Sequence, residues 1–269
     1  MTLSKLIASV TAGGALALLA TGASATSVVV TITNNAPTSG VYLTPVWSAF
    51  HNGTFDTFSA GSAASAGLEA LSEDGNVAGL SKQFATEAAG GVQGVTGAAP
   101  IAPGQSVSQT FTLADDGSNS FFSYASMVLP SSDYFVGNDN AQGHSIQGIL
   151  DGLMNEIVFN IGLPGGVYDA GTEVNDFATS AGNGLFAGIP GGQSGPNQGA
   201  DEGGLVTAVA DPFADFLSAG GLDLTALDFG NTALYGEGIA TVRISVVPIP
   251  AALPLFAAGL GALGFLRRR

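Results

Sequence analysis

The sequence predicts an all-β protein, an antiparallel β-sandwich with short helices and long loops. Two observations predict this class. Short runs of β-branched or alternating apolar residues recur along the chain, and Gly, Pro and Asn separate them, with 40 Gly and 12 Pro among 269 residues. Many short strands with turn residues between them, and few helices, are typical of a sandwich.

The first predicted elements are two strands followed by two helices. Residues 27–33 are a β-branched run and predict the first strand. Residues 41–50 predict a second extended segment. Residues 63–71 and 81–89 each predict a short helix.

The rest of the chain adds strands and one long loop. Residues 106–113 place three apolar side chains on one face, with one polar exception, and predict a strand. Residues 121–129 are an apolar and aromatic run that predicts a buried strand, and residues 157–161 predict a shorter one. Residues 239–247 alternate between apolar and polar side chains, which also predicts a strand. Residues 182–204 are poor in apolar side chains and predict a surface loop.

The charge of the chain is strongly negative. All 21 acidic residues lie between Asp56 and Glu237, and only Lys82 and Arg243 are basic in the region between the two chain ends, which leaves a formal charge of −19 there. This charge excludes nucleic acid as a partner, because phosphate requires basic residues, and it argues against docking on anionic lipid surfaces. Cations are favoured instead. The absence of Cys excludes disulfides, thiolate metal sites and a Cys nucleophile.

Residues 1–25 predict a secretory signal peptide. Lys5 supplies the basic start, an apolar stretch follows, and Ala23-Ser24-Ala25 provides the small residues of a cleavage site. The mature chain, residues 26–247, is therefore expected to be exported.

Residues 248–269 predict a second targeting segment with a short transmembrane helix. An apolar stretch of about 16 residues, at the lower limit for spanning a bilayer, leads to Arg267-Arg268-Arg269, which would stay cytoplasmic. The sequence VPIPAALPLFAAGLGALGFLRRR resembles the VPxPA variant of the PEP-CTERM sorting tails of Gram-negative bacteria. The resemblance implies recognition by an exosortase-type enzyme and transient anchoring in the inner membrane. A simple tail anchor is the alternative.

Two acidic segments stand out between the predicted strands. Residues 130–139 contain Asp133, and residues 168–176 contain Asp169 and Glu173. Ca²⁺ prefers about 6–8 oxygen ligands from carboxylates, carbonyls and water, while a chain with two His and no Cys supplies softer metals poorly. Asp and Asn are also ordinary turn residues, and on the residues alone the turn interpretation is favoured.

A family resemblance changes that balance. The segments PSSDYFVGNDN and YDAGTEVND resemble the two best-marked motifs of the spondin N-terminal domain, also called the F-spondin domain. Residues 67–75 resemble its helix segment and residues 44–53 the opening of its bacterial branch. The resemblance covers residues 27–175. It implies a C2-like β-sandwich with a calcium ion bound by loops at one end, in a family whose animal members are extracellular-matrix and adhesion proteins.

The resemblance also implies the metal ligands, which are Asp133, Asp169 and Glu173. Glu173 stands where animal members have Asp, so its carboxylate reaches one methylene further. Tyr134 replaces a Trp, and the cysteines of the animal domains are absent. The function implied is an exported calcium-binding module of the cell surface or extracellular matrix, adhesive or structural, with an extracellular polysaccharide or a surface protein as possible partner.

The chain is expected not to be an enzyme. His51 and His144 are the only candidate bases near neutral pH, and His51 is more typical of a turn residue. No G-x-S-x-G elbow occurs. The alternative function is a secreted carboxylate- or metal-dependent hydrolase acting on extracellular polysaccharide, with Asp133, Asp169 and Glu173 as the carboxylates.

Overall fold

The computed structural model describes residues 25–176, 180–186, 192–209 and 223–248. The predicted signal peptide and the predicted sorting segment lie outside these ranges, apart from Ala25 and Pro248. Within the ranges, no helix is long and apolar enough to cross a bilayer. In chain order the described elements are β1 (Ala25–Asn34), β2 (Tyr42–Leu43), β3 (Val46–His51), α1 (Ala66–Asp74), α2 (Ala78–Glu87), β4 (Val92–Thr96), β5 (Ser106–Ala114), β6 (Phe121–Leu129), β7 (Tyr134–Gly137), α3 (Gln147–Leu150), β8 (Glu156–Ile161), β9 (Val167–Asp169), the 3₁₀ helix η1 (Asn183–Leu185), β10 (Thr207–Ala208), α4 (Leu224–Leu227), α5 (Thr232–Tyr235) and β11 (Ala240–Val246).

The described strands form two antiparallel sheets, which confirms the all-β, sandwich-like class. The smaller sheet has the order β5-β1-β11-β8. Val30 and Ile32 of β1 and Val242 and Ile244 of β11 are fully buried, while the alternate residues of both strands face outward. The alternating pattern in the sequence therefore identified the inner face of this sheet correctly.

The larger sheet has the order β10-β9-β7-β6-β3-β4, and β2 also pairs with β6. Its central strands β3 and β6 are buried on both faces, because the smaller sheet covers one face and α1 and α2 pack on the other. Trp47 of β3 is fully buried against Phe55 and Phe84 on the helical side. The molecule thus has three layers and two hydrophobic clusters.

Both predicted helices are present, with shifted boundaries. Helix α1 begins after Ser65, whose side chain accepts the N–H of Leu68, and ends at Gly75, which has a φ of 66°. An oxygen side chain at the start and a left-handed glycine at the end are standard helix caps. The predicted segment 41–50 is interrupted between β2 and β3, at Thr44-Pro45, where a proline restricts the preceding residue. In the described part of 182–204, η1 is the only regular element.

The entry and exit of the chain lie at one end of the sandwich, and the last residues of β6 lie at the other. At one end Ala25 pairs with Ala114, and Val28 pairs with Val246, so the chain enters and leaves the domain there. At the other end the Asn34 side chain donates to the carbonyl of Val41 at 2.9 Å, beside the end of β6. Strand β6 connects the two ends, and its nine residues span about 30 Å.

Candidate functional site

Asp133 holds the acidic end of the sandwich together. It lies in the turn between β6 and β7 and is fully buried. Its Oδ2 accepts the backbone N–H of Thr172 at 2.8 Å, that of Glu173 at 3.1 Å and the Thr172 hydroxyl at 3.2 Å. Its Oδ1 accepts the Asn175 amide at 2.7 Å. Hydrogen bonds to an ionised acceptor are the strong class, so this one carboxylate fixes the loop that follows β9.

Asp169 is the second carboxylate of the site. It ends β9, which pairs with β7, and this pairing places Asp169 opposite Tyr134 and beside Asp133. The Asn175 Nδ2 donates to Asp169 Oδ2 at 3.2 Å as well as to Asp133, so the amide lies between the two carboxylates. Burial, and next the charge of Asp133, raises the pKa of Asp169 to about 7.

Gly171 allows the sharp turn between Asp169 and Glu173. Its φ is 67° and its N–H donates to Asp169 Oδ1 at 2.7 Å. A Cβ at this position would lie 2.7 Å from the backbone nitrogen of Leu205. Both the left-handed backbone and the close neighbouring chain therefore require glycine.

Glu173 joins the site through its backbone N–H, which donates to Asp133. Its side chain is buried and packs against Gly199, where an added Cβ would lie 1.6 Å from Glu173 Oε1. The same two stretches of chain are linked by the Val174 N–H, which donates to the carbonyl of Ala200 at 2.9 Å.

Glu73 is a further acidic residue at this end, and no local pattern singles it out as a site residue. It lies in the last turn of α1 and is buried. Burial raises the pKa of Glu73 to about 7, a hydrogen bond with Thr172 opposes the rise, and the charges of Glu69, Asp74 and Asp133 add to it. Tertiary packing brings it to the site, because Thr172 lies about a hundred residues further along the chain.

Asp133, Asp169 and Glu73 form no ion pair with a basic side chain in the part of the chain that the structure describes. In the ranges that the structure describes, the only ion pair joins Arg243 to Glu156 in the smaller sheet. No group of three or more His, Asp or Glu side chains in those ranges converges into a metal-binding geometry. A polar pocket of about 370 Å³ opens beside the loop and is lined by Gly171, Thr172 and Asp201 among others. The site is thus oxygen-rich, negatively charged and close to solvent.

The two histidines lie away from the acidic end of the sandwich. His51 Nδ1 accepts the N–H of Gly53 at 3.0 Å, so the ring proton is on Nε2, which donates to Ser123 Oγ at 2.8 Å. His51 and Ser123 are fully buried, and burial lowers the pKa of His51 to about 4. His144 stacks on Phe159 with ring centroids 3.9 Å apart.

A known protein family matches the region of the chain that contains all three predicted metal ligands. The Spondin_N family profile matches residues 30–176, which is more than half of the chain. The chain belongs to the Spondin_N family. No curated protein gives a significant match. Membership of Spondin_N indicates an extracellular or cell-surface module. Strand β11 lies outside the matched range, although it completes the smaller sheet.

The structure brings together two of the three residues that the Spondin_N resemblance implied as ligands. The side chains of Asp133 and Asp169 share Asn175. Glu173 reaches them through its backbone. Glu73, Thr172 and Asn175 were not selected from the sequence. Thr172 and Asn175 lie within the YDAGTEVND segment, so the motif itself was the available signal for them.

Proposed function

We propose that the chain is an exported module of the cell surface or extracellular matrix, adhesive or structural, that binds Ca²⁺ at its acidic end. The observation that carries the proposal is the buried Asp133 beside the half-buried Asp169, which share Asn175 and have no basic partner in the described part of the chain. Buried charges in proteins are normally paired or coordinate metals, and oxygen donors of this kind suit Ca²⁺.

The residues that would hold the ion are Asp133, Asp169 and Glu173, completed by backbone carbonyls and water. The Asn175 amide, which now lies between the first two carboxylates, would give way to the cation. Binding would neutralise the repulsion that contributes to the raised pKa of Asp169.

The test is thermal unfolding of the full chain with Ca²⁺ and with chelator. Ligand at 100 times its Kd stabilises the native state by about 2.7 kcal/mol, so the wild type should melt at a higher temperature with Ca²⁺. Asp169→Ala should lose this response, and Asp139→Ala should keep it, because Asp139 is an exposed acid whose hydrogen bond reaches only Ala60. An unchanged melting temperature of the wild type with Ca²⁺ and with chelator would refute calcium binding.

We also propose that an exosortase-type enzyme sorts the protein through residues 248–269. The support is the tail sequence and the topology, because β11 delivers the chain out of the domain at the end opposite Asp133. While the tail is in the inner membrane, the acidic end would face away from the bilayer. Intact-mass analysis of protein from the cell surface tests this. A mature species that still ends in Arg267-Arg268-Arg269 would refute sorting by cleavage, and the simple tail anchor would remain as the explanation.

We propose further that the module has no catalytic turnover. The buried His51, whose Nε2 donates to Ser123, supports this, since a general base needs an accessible unprotonated nitrogen. Release of reducing ends from extracellular polysaccharide, abolished by Asp133→Asn, would overturn the proposal.

A further inference from the structure

Strand β8 is an open edge of the smaller sheet. It pairs with β11 over six consecutive residue pairs, from Ile161 opposite Ala240 to Glu156 opposite Ser245. Among the described residues, no strand pairs with its other side. An edge of this kind presents a row of backbone N–H and C=O groups that can accept another strand.

This edge lacks the features that usually prevent edge pairing. Residues 156–161 contain neither Lys nor Pro, and the regular pairing with β11 has no bulge. Proteins commonly protect exposed edges with lysines, prolines or bulges. Strand β5, at the opposite edge, instead points Ser108, Thr110 and Thr112 outward.

Apolar side chains are concentrated along the same edge. Leu153 is 80% exposed, Met154 47%, Val158 46% and Leu163 44%. Four of the nine large exposed apolar residues of the described chain therefore lie within eleven positions. The inward residues Ile157 and Phe159 are only partly buried, whereas Val242 and Ile244 of the neighbouring β11 are fully buried. The hydrophobic core is thus incompletely covered at β8, as expected of an interaction surface.

Charge indicates which partner fits. The chain has a net charge of −15, so two copies repel each other over most of their surface. On β8 the only charged residue is Glu156, and Arg243 neutralises it. The exposed Glu237 accepts a hydrogen bond from the Asn160 side chain of β8 at 3.1 Å, so one carboxylate lies beside the end of the strand. The centre of the edge, residues 157–159, is an uncharged apolar strip on an acidic molecule.

We propose that β8 is a dimerisation edge that pairs antiparallel with β8 of a second copy. A two-fold axis through Val158 places this residue opposite Val158 of the second copy, Ile157 opposite Phe159, and Glu156 opposite Asn160. Apolar residues then face apolar residues, and directly opposed side chains are the pairs that stabilise a sheet. The contact is isologous, which is the usual form of a protein dimer, and it joins two smaller sheets into one.

The test is sedimentation velocity of the full chain across the micromolar concentration range, with chelator present so that calcium plays no part. The wild type should be a dimer. Val158→Lys should weaken the dimer by about a hundredfold or more, because two lysines would face each other at the axis. Thr110→Lys, on the outer face of the other edge strand, should dimerise like the wild type. A monomeric wild type, or equal dimerisation of both variants, would overturn the proposal.

Cysteine substitution gives a second readout that does not depend on affinity or on the lysine variant folding. The chain has no Cys, so Val158→Cys introduces a single thiol. At the axis two such thiols lie close enough to form a disulfide, because cross-strand Cβ atoms are about 4.5–5.5 Å apart. Mild oxidation should therefore give a covalent dimer with Val158→Cys and none with Thr110→Cys. Equal cross-linking of the two would contradict the two-fold pairing.

Discussion

Asp133 orders the loop after β9, and its removal should lower the stability of the fold. Asp133→Ala would leave the buried N–H groups of Thr172 and Glu173 without their acceptor. Loss of hydrogen bonds to a charged group costs about 1.5–3 kcal/mol, and several are lost together, so we expect the free energy of unfolding to fall by about 3 kcal/mol. Chemical denaturation in chelator measures it. Asp139→Ala is the control and should change stability by less than about 1 kcal/mol.

Ionisation of Glu73 should lower the free energy of unfolding above neutral pH. Its folded-state pKa of about 7 lies above the ordinary glutamate value of 4.5, so the folded protein holds the proton more tightly than the unfolded chain. The protonated side chain therefore contributes at most about 3 kcal/mol to the free energy of unfolding. This contribution is fully present below pH 4.5 and is lost as the pH rises to about 7.

Glu73→Gln should therefore be more stable than the wild type at pH 8 in chelator and should show no gain at pH 4. Glu87→Gln, at an exposed position that ends α2, is the control. Denaturation curves at the two pH values decide this. If Glu73→Gln were stabilised equally at the two pH values, ionisation of Glu73 would not be the cause of the difference in stability.

Strand β11 is central to the smaller sheet although it is distant in sequence from the matched region. Val242 is fully buried between β1 and β8 neighbours. Val242→Ala should lower the free energy of unfolding by about 2 kcal/mol, since it removes buried methyl groups and leaves a cavity. Ser245→Ala, on the outward face of the same strand, should have little effect. Similar losses in urea denaturation for both would mean that β11 is not part of the core.

The strands that could be predicted from the sequence are those with a strong local pattern. Residues 121–129 correspond to β6, and the alternation at 239–247 corresponds to β11 with one residue fewer at each end. Strands β4 and β9 were missed because they are short and have no clear periodicity. Strand β7 was missed because its residues lie inside an acidic segment that had the composition of a loop.

The candidate site could be predicted only in part, for a related reason. Asp133 and Asp169 lie in motifs that are visible along the chain. Glu73 and the segment around Gly199 reach the site through tertiary packing, which no local pattern encodes.

The folding unit of the whole molecule should extend well beyond the family match. The matched residues 30–176 include β8 but not β11, and β11 lies between β1 and β8 in the smaller sheet. Without it, β8 has no strand to pair with, and the buried faces of β1 and β6 lose much of their cover. A fragment of 30–176 must therefore expose apolar surface that the intact domain buries, and it should aggregate or remain without fixed tertiary structure.

Residues 26–247 contain every described strand except for Ala25 at the start of β1, and their charge of −19 keeps molecules apart. We therefore expect this longer piece to be soluble and to unfold cooperatively without either chain end. Near-UV circular dichroism and thermal unfolding of the two pieces in the same calcium-containing buffer compare them directly. Cooperative unfolding of 30–176 at the temperature of the longer piece would show that β11 is dispensable. An unfolded 26–247 would place an essential core segment in one of the two ends.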